Sequence, residues 1–262
     1  MDIPDSTRCK FIDIVMAKWF LLISFAVSIL VISCTKDELT LPVRVSFDFE
    51  LIPHEEGNFL KSTLHEDPEI LQPPNIPGGR LSVAKGSLSI ESIEFDGRRD
   101  EGKDVFFISN LPGPLLVDLE TGKVNLEVSF DIPQGVYSMV EIYLNPGGGD
   151  AAPLILEGFI KRGAADEIPV RFEYDISEKL KIRAESKHQS NKIVLRKDVE
   201  SKASIIIDAG SIFQFVNPSV IRNALVSSIE GKEIIIVSPD INIDIFNALA
   251  ARVEKSISIV FN

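Results

Sequence analysis

From Val43 the chain alternates apolar and polar residues: Val43, Val45, Phe47, Phe49 and Leu51 in one phase, with Arg44, Ser46, Asp48 and Glu50 between them. Successive side chains of a strand point to opposite faces, so this period of two predicts a half-buried β-strand. The signature recurs at Val124, Leu126, Val128, Phe130 and Ile132, at Ile168, Val170, Phe172, Tyr174 and Ile176, and at Leu180, Ile182 and Ala184. Turn residues such as Thr121-Gly122 and Pro133-Gln134-Gly135 separate the runs. Many short alternating strands predict a mainly β chain, and an antiparallel β-sandwich is expected over 43–216.

Several stretches carry more detail. The phase changes between Leu88/Ile90 and Ile93/Phe95, so a bulge is expected near Ser92. Asp96-Gly97 and Glu101-Gly102 read as a turn, followed by a short buried strand at Val105-Phe106-Phe107-Ile108. Residues Val136 to Leu144 are apolar in both phases, which predicts a central strand. The glycine-rich run Asn145 to Asp150 reads as a hairpin reversal; it lacks the Gly-Lys-Ser/Thr ending of a phosphate loop. Residues 52–80, with Pro53, Pro68, Pro73, Pro74, Pro77, Gly78 and Gly79, read as a long loop.

The character changes after Val216. Asn217-Pro218 is an N-cap followed by proline at the first helical position, and Val220, Ile221, Ala224 and Leu225 recur at helical spacing up to a stop at Gly231. A strand at Ile234 to Val237, a second helix carrying Phe246, Leu249, Ala250 and Val253, and a strand with Ile257, Ile259 and Phe261 follow. Residues 217–262 are therefore expected to form a small C-terminal α/β appendage.

The N-terminus carries a different message. Lys18 precedes an apolar run from Trp19 to Ile32 of about 14 residues, too short for the ~20 that span a bilayer, and Val31-Ile32-Ser33-Cys34 closes it. That arrangement resembles the lipobox of bacterial lipoproteins, which implies cleavage before Cys34 and lipidation of its thiol. Residues 1–33 are then a signal peptide and 34–42 a lipidated tether. Met16-Ala17-Lys18 is a better start than Met1, whose following residues include Asp2, Asp5 and Asp13; residues 1–15 read as an upstream mis-start or an atypical extension. Lys36, Asp37 and Glu38 resemble the export signal that sends Bacteroidetes lipoproteins to the outer face of the outer membrane. Membrane attachment through Cys34, facing the cell exterior, is the expected location.

Charge and cysteine usage exclude several classes. A formal net charge of −12 opposes nucleic-acid binding, which needs basic groups to neutralise phosphates. The 2 cysteines are Cys9, ahead of the cut, and Cys34, so no disulfide is expected in the processed chain. His54 and His65 lie beside acids (Glu55, Glu56, Glu66, Asp67) without any known metal-ligand spacing, and acidic turns at Asp96 and Asp150 lack the spacing of a calcium loop. No nucleophile elbow, zinc-helix motif or nucleotide loop is present, so no catalytic residue, cofactor or metal is assigned and a non-enzymatic role is expected.

The run Val117-Asp118-Leu119, Gly122, Leu126 and Pro133-x-Gly135-x-Tyr137, followed by Val140 to Leu144, is similar to a lipoprotein domain of unknown function common in Bacteroidetes. Ala203 to Ile221 resembles that family's closing segment. The resemblance implies an immunoglobulin- or transthyretin-like β-sandwich and a lipid anchor, with no catalytic residues. Gly135 and Tyr137 in this motif read as turn and core residues. Three roles are compatible: a non-catalytic binding or structural/adhesive module whose glycan or protein ligand the sequence does not specify, a glycan-binding accessory of polysaccharide uptake, and a fimbrillin-like subunit that donates Ser256 to Phe261 as a strand. Glycan binding is weakened because the single tryptophan, Trp19, lies within the signal peptide.

Overall fold

A computed structural model describes residues 40–55, 81–109, 111–149, 151–161, 167–175, 178–188 and 191–262. Pro42–Asn262 forms one compact unit. Its first strands are β1 (Pro42–Ile52), β2 (His54–Glu55), β3 (Leu81–Arg99), β4 (Val105–Ile108), β5 (Leu115–Asp118), β6 (Lys123–Val124), β7 (Ser129–Pro133) and β8 (Gly135–Pro146). Then come β9 (Leu154–Lys161), β10 (Glu167–Tyr174), β11 (Leu180–Ser186), β12 (Ile193–Leu195) and β13 (Ser201–Asp208). Helices α1 (Ala209–Phe213) and α2 (Pro218–Arg222), strands β14 (Ser227–Ile229) and β15 (Lys232–Val237), helix α3 (Ile243–Val253) and strand β16 (Ile257–Phe261) complete the order.

The unit is built outward from β3, whose 19 residues are paired along both edges. Ser89 identifies the edges. Its N–H donates to Pro153 O at 2.8 Å and its C=O accepts from Gly147 N at 3.1 Å, so both point to the β8–β9 connection. β8 and β9 therefore run one after the other along a single edge, opposite 90–99 and 81–88 respectively. β4 and β5 lie along the opposite edge, where Ile93 O and Gly86 O accept from Ser109 N and Leu119 N. The glycine-rich run after Asn145 is thus an excursion between two collinear strands and not a hairpin reversal. The Ser89 hydroxyl pins it by donating to Gly147 O at 2.6 Å.

Two branches leave this spine. From β9 the order is β10, β15, β14; from β8 it is β11, β16, β13, β1, β7. The pairing is mixed. β1 with β13, β10 with β15 and β11 with β16 are parallel, which corrects the expectation of a purely antiparallel sheet. Local alternation cannot reveal this, because it reports faces and not the direction of a neighbour.

The C-terminal residues are not an appendage. β15 extends the first branch beside β10, and β16 sits between β11 and β13, bonded on both edges. Ile257, Ile259 and Phe261 are buried as the alternation predicts. A strand donated to another subunit from this segment would have to leave both partners first. Asn217 does cap α2, accepting from Ser219 N at 2.9 Å, with Pro218 at its first position. Gly231 is no helix stop: with Glu230 (φ 52°) and Gly231 (φ 79°) left-handed, it makes the tight turn between β14 and β15.

One apolar core holds the unit, and two groups of aromatic rings lie in it. In one, Phe47 of β1 meets Phe130 of β7 (5.3 Å), Phe130 meets Phe107 of β4 (5.3 Å), Phe107 stacks on Phe95 of β3 (5.3 Å), and Phe95 meets Tyr137 of β8 edge-on (5.9 Å). Such pairs add about 0.5–1.5 kcal/mol each beyond the burial of their area. In the other, Phe172 of β10 contacts Phe213 of α1 and Phe246 of α3. The strand at Val105 is only half buried, since Phe106 and Ile108 point outward.

The bulge expected near Ser92 is present, as the β3–β8 register shifts between Ile90 and Ser92. Asp96-Gly97, expected as a turn, lies within β3. A Cβ at Gly97 would stand 2.7 Å from the Tyr137 ring, so glycine is needed there for packing. Gly158 is tighter still: a Cβ would stand 1.8 Å from Ser82 O, where β3 kinks over β9 between Val83 and Lys85. Gly158→Ala must push backbone aside and should lower stability by about 1–3 kcal/mol, read from urea denaturation. An unchanged midpoint would show that β3 and β9 are not held this closely.

Candidate functional site at the fork between β8 and β11

β8 departs from regular geometry at Ser138. Met139 is opposite Arg98 and Tyr137 is opposite Arg99, so Ser138 is an extra residue on the β8 side. The bulge changes the phase, and both Tyr137 and Val140 enter the core. Tyr137, read from the sequence as a core residue, is fully buried, and its hydroxyl donates to Pro133 O at 2.6 Å. Burial pushes its pKa up to about 12, against a small opposing effect of Arg99. Arg99 Nη1 also donates to Gln134 O at 3.3 Å, so the crossing from β7 to β8 is fastened from both sides.

The opposite wall is β11. It pairs with β8 from Leu180↔Leu144 to Arg183↔Glu141, then leaves it, and Ala184–Ser186 pair with β16. β12 returns to β8 at Ile193↔Tyr137. Between these two contacts, Ser138–Val140 of β8 and Ala184–Ser186 of β11 face each other with no strand between them among the described residues. The result is a cavity of about 660 Å³. Its floor holds Tyr137, Val140, Ala184 and Ile193, all buried, and its rim holds Arg183 and Glu185. An apolar floor, a rim of opposite charges and two unpaired strand edges make a site able to hold a polar, extended ligand.

Fixed charges flank the fork. Lys181 Nζ is 2.9 Å from Glu141 Oε2, the Tyr143 hydroxyl donates to the same oxygen at 3.2 Å, and Lys181 lies over the Tyr143 ring. The lysine hydrogen bond holds the Glu141 carboxyl below its usual value, and Glu141 raises Lys181 in return. One pair further on, Glu94 is bonded to Lys179 and accepts from Asn145 Nδ2 at 3.2 Å; it too is held below its usual value, chiefly by Lys179. These carboxylates are already engaged, so they brace the sheet face beside the cavity.

Of the residues singled out in the sequence, Cys34, Lys36, Asp37 and Glu38 lie outside the described residues, as do His65, Glu56, Glu66, Asp67 and Asp150. His54 is on β2, buried and stacked on Phe213 at 6.0 Å. Asp96 is paired within β3 and belongs to no acidic turn. Among the described residues, no group of three or more His, Cys, Asp and Glu is placed to hold a metal ion, and no helix is long and apolar enough to cross a membrane. The fork itself escaped the sequence reading. Its only local trace is the run of apolar residues in both phases from Val136 to Leu144.

His54 gives a pH dependence. Burial lowers its pKa from 6.5, partly offset by the negative charge of Asp208. Below 6.5 the unfolded chain takes the proton first, so stability is complete above that pH and is lost as pH falls through the folded value. His54→Gln should flatten this acid limb below pH 6.5 in thermal melts; an unaltered limb would place the sensitivity elsewhere. Comparison of the chain with protein-family models, with curated proteins and with solved structures finds no significant match.

Proposed function

We propose that this chain is a surface lipoprotein, anchored in the outer membrane through Cys34, whose Pro42–Asn262 unit binds or scaffolds and performs no chemistry. The observation that carries the binding role is the cavity of about 660 Å³ at the fork, built from two strand edges. The anchoring role rests on Val31-Ile32-Ser33-Cys34 and on Lys36-Asp37-Glu38 behind it. We also read the unit as a β-sandwich of the immunoglobulin or transthyretin kind. The aromatic line from Phe47 through Phe130 and Phe107 to Phe95 supports that reading, because it joins β1 and β7 at one end of the sheet path to β3 at its middle.

Glycan capture remains a second reading on one observation. A groove of about 280 Å³ on the outer face of β9 and β10 places the partly exposed Phe159 ring near Lys85, Glu157 and Arg171, an aromatic platform with hydrogen-bonding groups beside it. Fimbrillin-like donation of Ser256 to Phe261 has less support, since β16 is bonded on both edges.

Metabolic labelling with radioactive palmitate in a two-membrane bacterium tests the anchor. The wild-type chain should take the label, and Cys34→Ala should reduce it to background. Replacing Lys36, Asp37 and Glu38 by alanine should keep the label yet protect the chain from protease added to intact cells. Undiminished labelling of Cys34→Ala would overturn the anchored reading.

A further inference from the structure

We propose that the outer edge of β14 pairs with the same edge of a second copy of this chain, in a two-fold antiparallel register centred on Ser227. The sheet path ends at β14, and among the described residues no strand pairs with its outer edge. The direction of its backbone groups follows from Asn242. The Asn242 side chain accepts from Leu225 N at 2.8 Å, and its amide donates to Leu225 O at 3.1 Å and to Ile236 O at 2.7 Å. Leu225 therefore turns both of its backbone groups toward β15. These groups alternate sides along a strand, so Ser227 and Ile229 also face β15, whereas Val226 and Ser228 face away from it. Two N–H and two C=O groups thus stand on an open edge.

The edge is also unguarded. Sheet edges that stay single carry charge, proline or a bulge. At the other end of the path, β7 carries the exposed Asp131 and ends in Pro133. Residues 223–229, Asn-Ala-Leu-Val-Ser-Ser-Ile, carry no charge and no proline. Leu225 is 72% exposed, Ile229 46% and Val226 38%, so apolar side chains flank the unpaired backbone groups.

Symmetry selects the occupant and the register. A two-fold axis normal to a sheet keeps each residue on its own face, and residues directly opposite share a face. Odd-numbered residues must therefore oppose odd ones, and even oppose even. With the axis at Ser227, Val226 of each copy lies opposite Ser228 of the other, and four hydrogen bonds use every outward group. Leu225 then lies opposite Ile229 of the second copy, twice, in the non-hydrogen-bonded pairs whose side chains come closest. An axis at Ser228 would set Val226 against Glu230, which is left-handed (φ 52°) and already in the turn. An axis at Val226 would leave Ile229 opposite Asn223. Only the Ser227 axis pairs apolar with apolar, so the edge is complementary to itself, and this favours a second copy over an unrelated strand. Three paired residues a side put the contact at the low end of specific interfaces, below about 1,200 Å², so the association is reversible. It goes beyond the anchored reading and does not depend on it.

The test uses the full chain in detergent with Cys9→Ala and Cys34→Ala, so that each added cysteine is the only one. Mild oxidation of Ser227→Cys should give a disulfide-linked dimer on a non-reducing gel, because the pair at the axis has Cα atoms about 4.5 Å apart. Leu225→Cys alone and Ile229→Cys alone should link at least tenfold less, since each lies two residues from the axis; mixed together, these two variants should link. Ser228→Pro removes an outward N–H, which the fold of an edge strand tolerates. It should cut the Ser227→Cys dimer at least tenfold with an unchanged thermal midpoint. If Ser228→Pro lowers the midpoint, the cysteine pattern decides alone. No dimer from Ser227→Cys, or equal linking at 225, 227 and 229, overturns the proposal. So does a Ser227→Cys chain that, oxidised in the producing cells, links only to another protein, since the edge would then serve a different partner. None of these outcomes bears on the anchor, which stands or falls by its own labelling.

Discussion

The double-edged pairing of β3 is the constraint on which the rest of the unit depends. A strand of 19 residues cannot stay flat against one neighbour without accumulating twist, and here one edge is shared by β8 and β9 and the other by β2, β5 and β4. Bulges near Ala84 and Glu91 relieve the mismatch. Because β9 and β8 occupy one edge in turn, their outer edges start two separate branches of the sheet. Only the branch from β8 reaches β1 and closes over the aromatic line. The fork arises where that branch turns away, so the cavity is a by-product of how one long strand is shared.

Packing enforces this arrangement at a few positions with no tolerance. Gly97 gives up its side chain to the Tyr137 ring, and Gly158 to the backbone at Ser82. Tyr137 then fixes the crossing from β7 to β8 through its hydroxyl, and its inward turn requires the bulge at Ser138. Fold and candidate site therefore share the same residues. A substitution that relaxes the Gly97–Tyr137 contact would alter the cavity floor as well as stability.

The elements were largely legible in the sequence, because alternation reports directly which side chains are buried. Val43 to Phe49, Ile168 to Phe172 and Ile257 to Phe261 are buried in the phases their patterns predict. The slip near Ser92 and the cap at Asn217-Pro218 were legible too, since each is a local matter of phase or capping chemistry. What could not be read was partnership. Asp96-Gly97 looked like a turn because the reason for Gly97, the ring of Tyr137, lies 40 residues away in sequence. The glycine-rich run after Asn145 looked like a reversal because nothing local says that β9 rejoins β3 on the same edge. The last strand looked terminal and detachable, yet β11 and β13 enclose it. The fork depends on three long-range registers at once, and the sequence shows only the apolar residues in both phases from Val136 to Leu144.

The most direct measurement is amide hydrogen exchange of the native chain, comparing β16 with the centre of β3. If Pro42–Asn262 is one cooperative unit closed by its last strand, the amides of Ile257–Phe261 should fall in the slowest class with those of 88–95. Both would then open only with global unfolding, at a cost on the order of 5–15 kcal/mol. Exchange of β16 by a separate local opening, several kcal/mol easier than that of β3, would contradict this. The C-terminal strand would then be a detachable edge and not the member that completes the sheet.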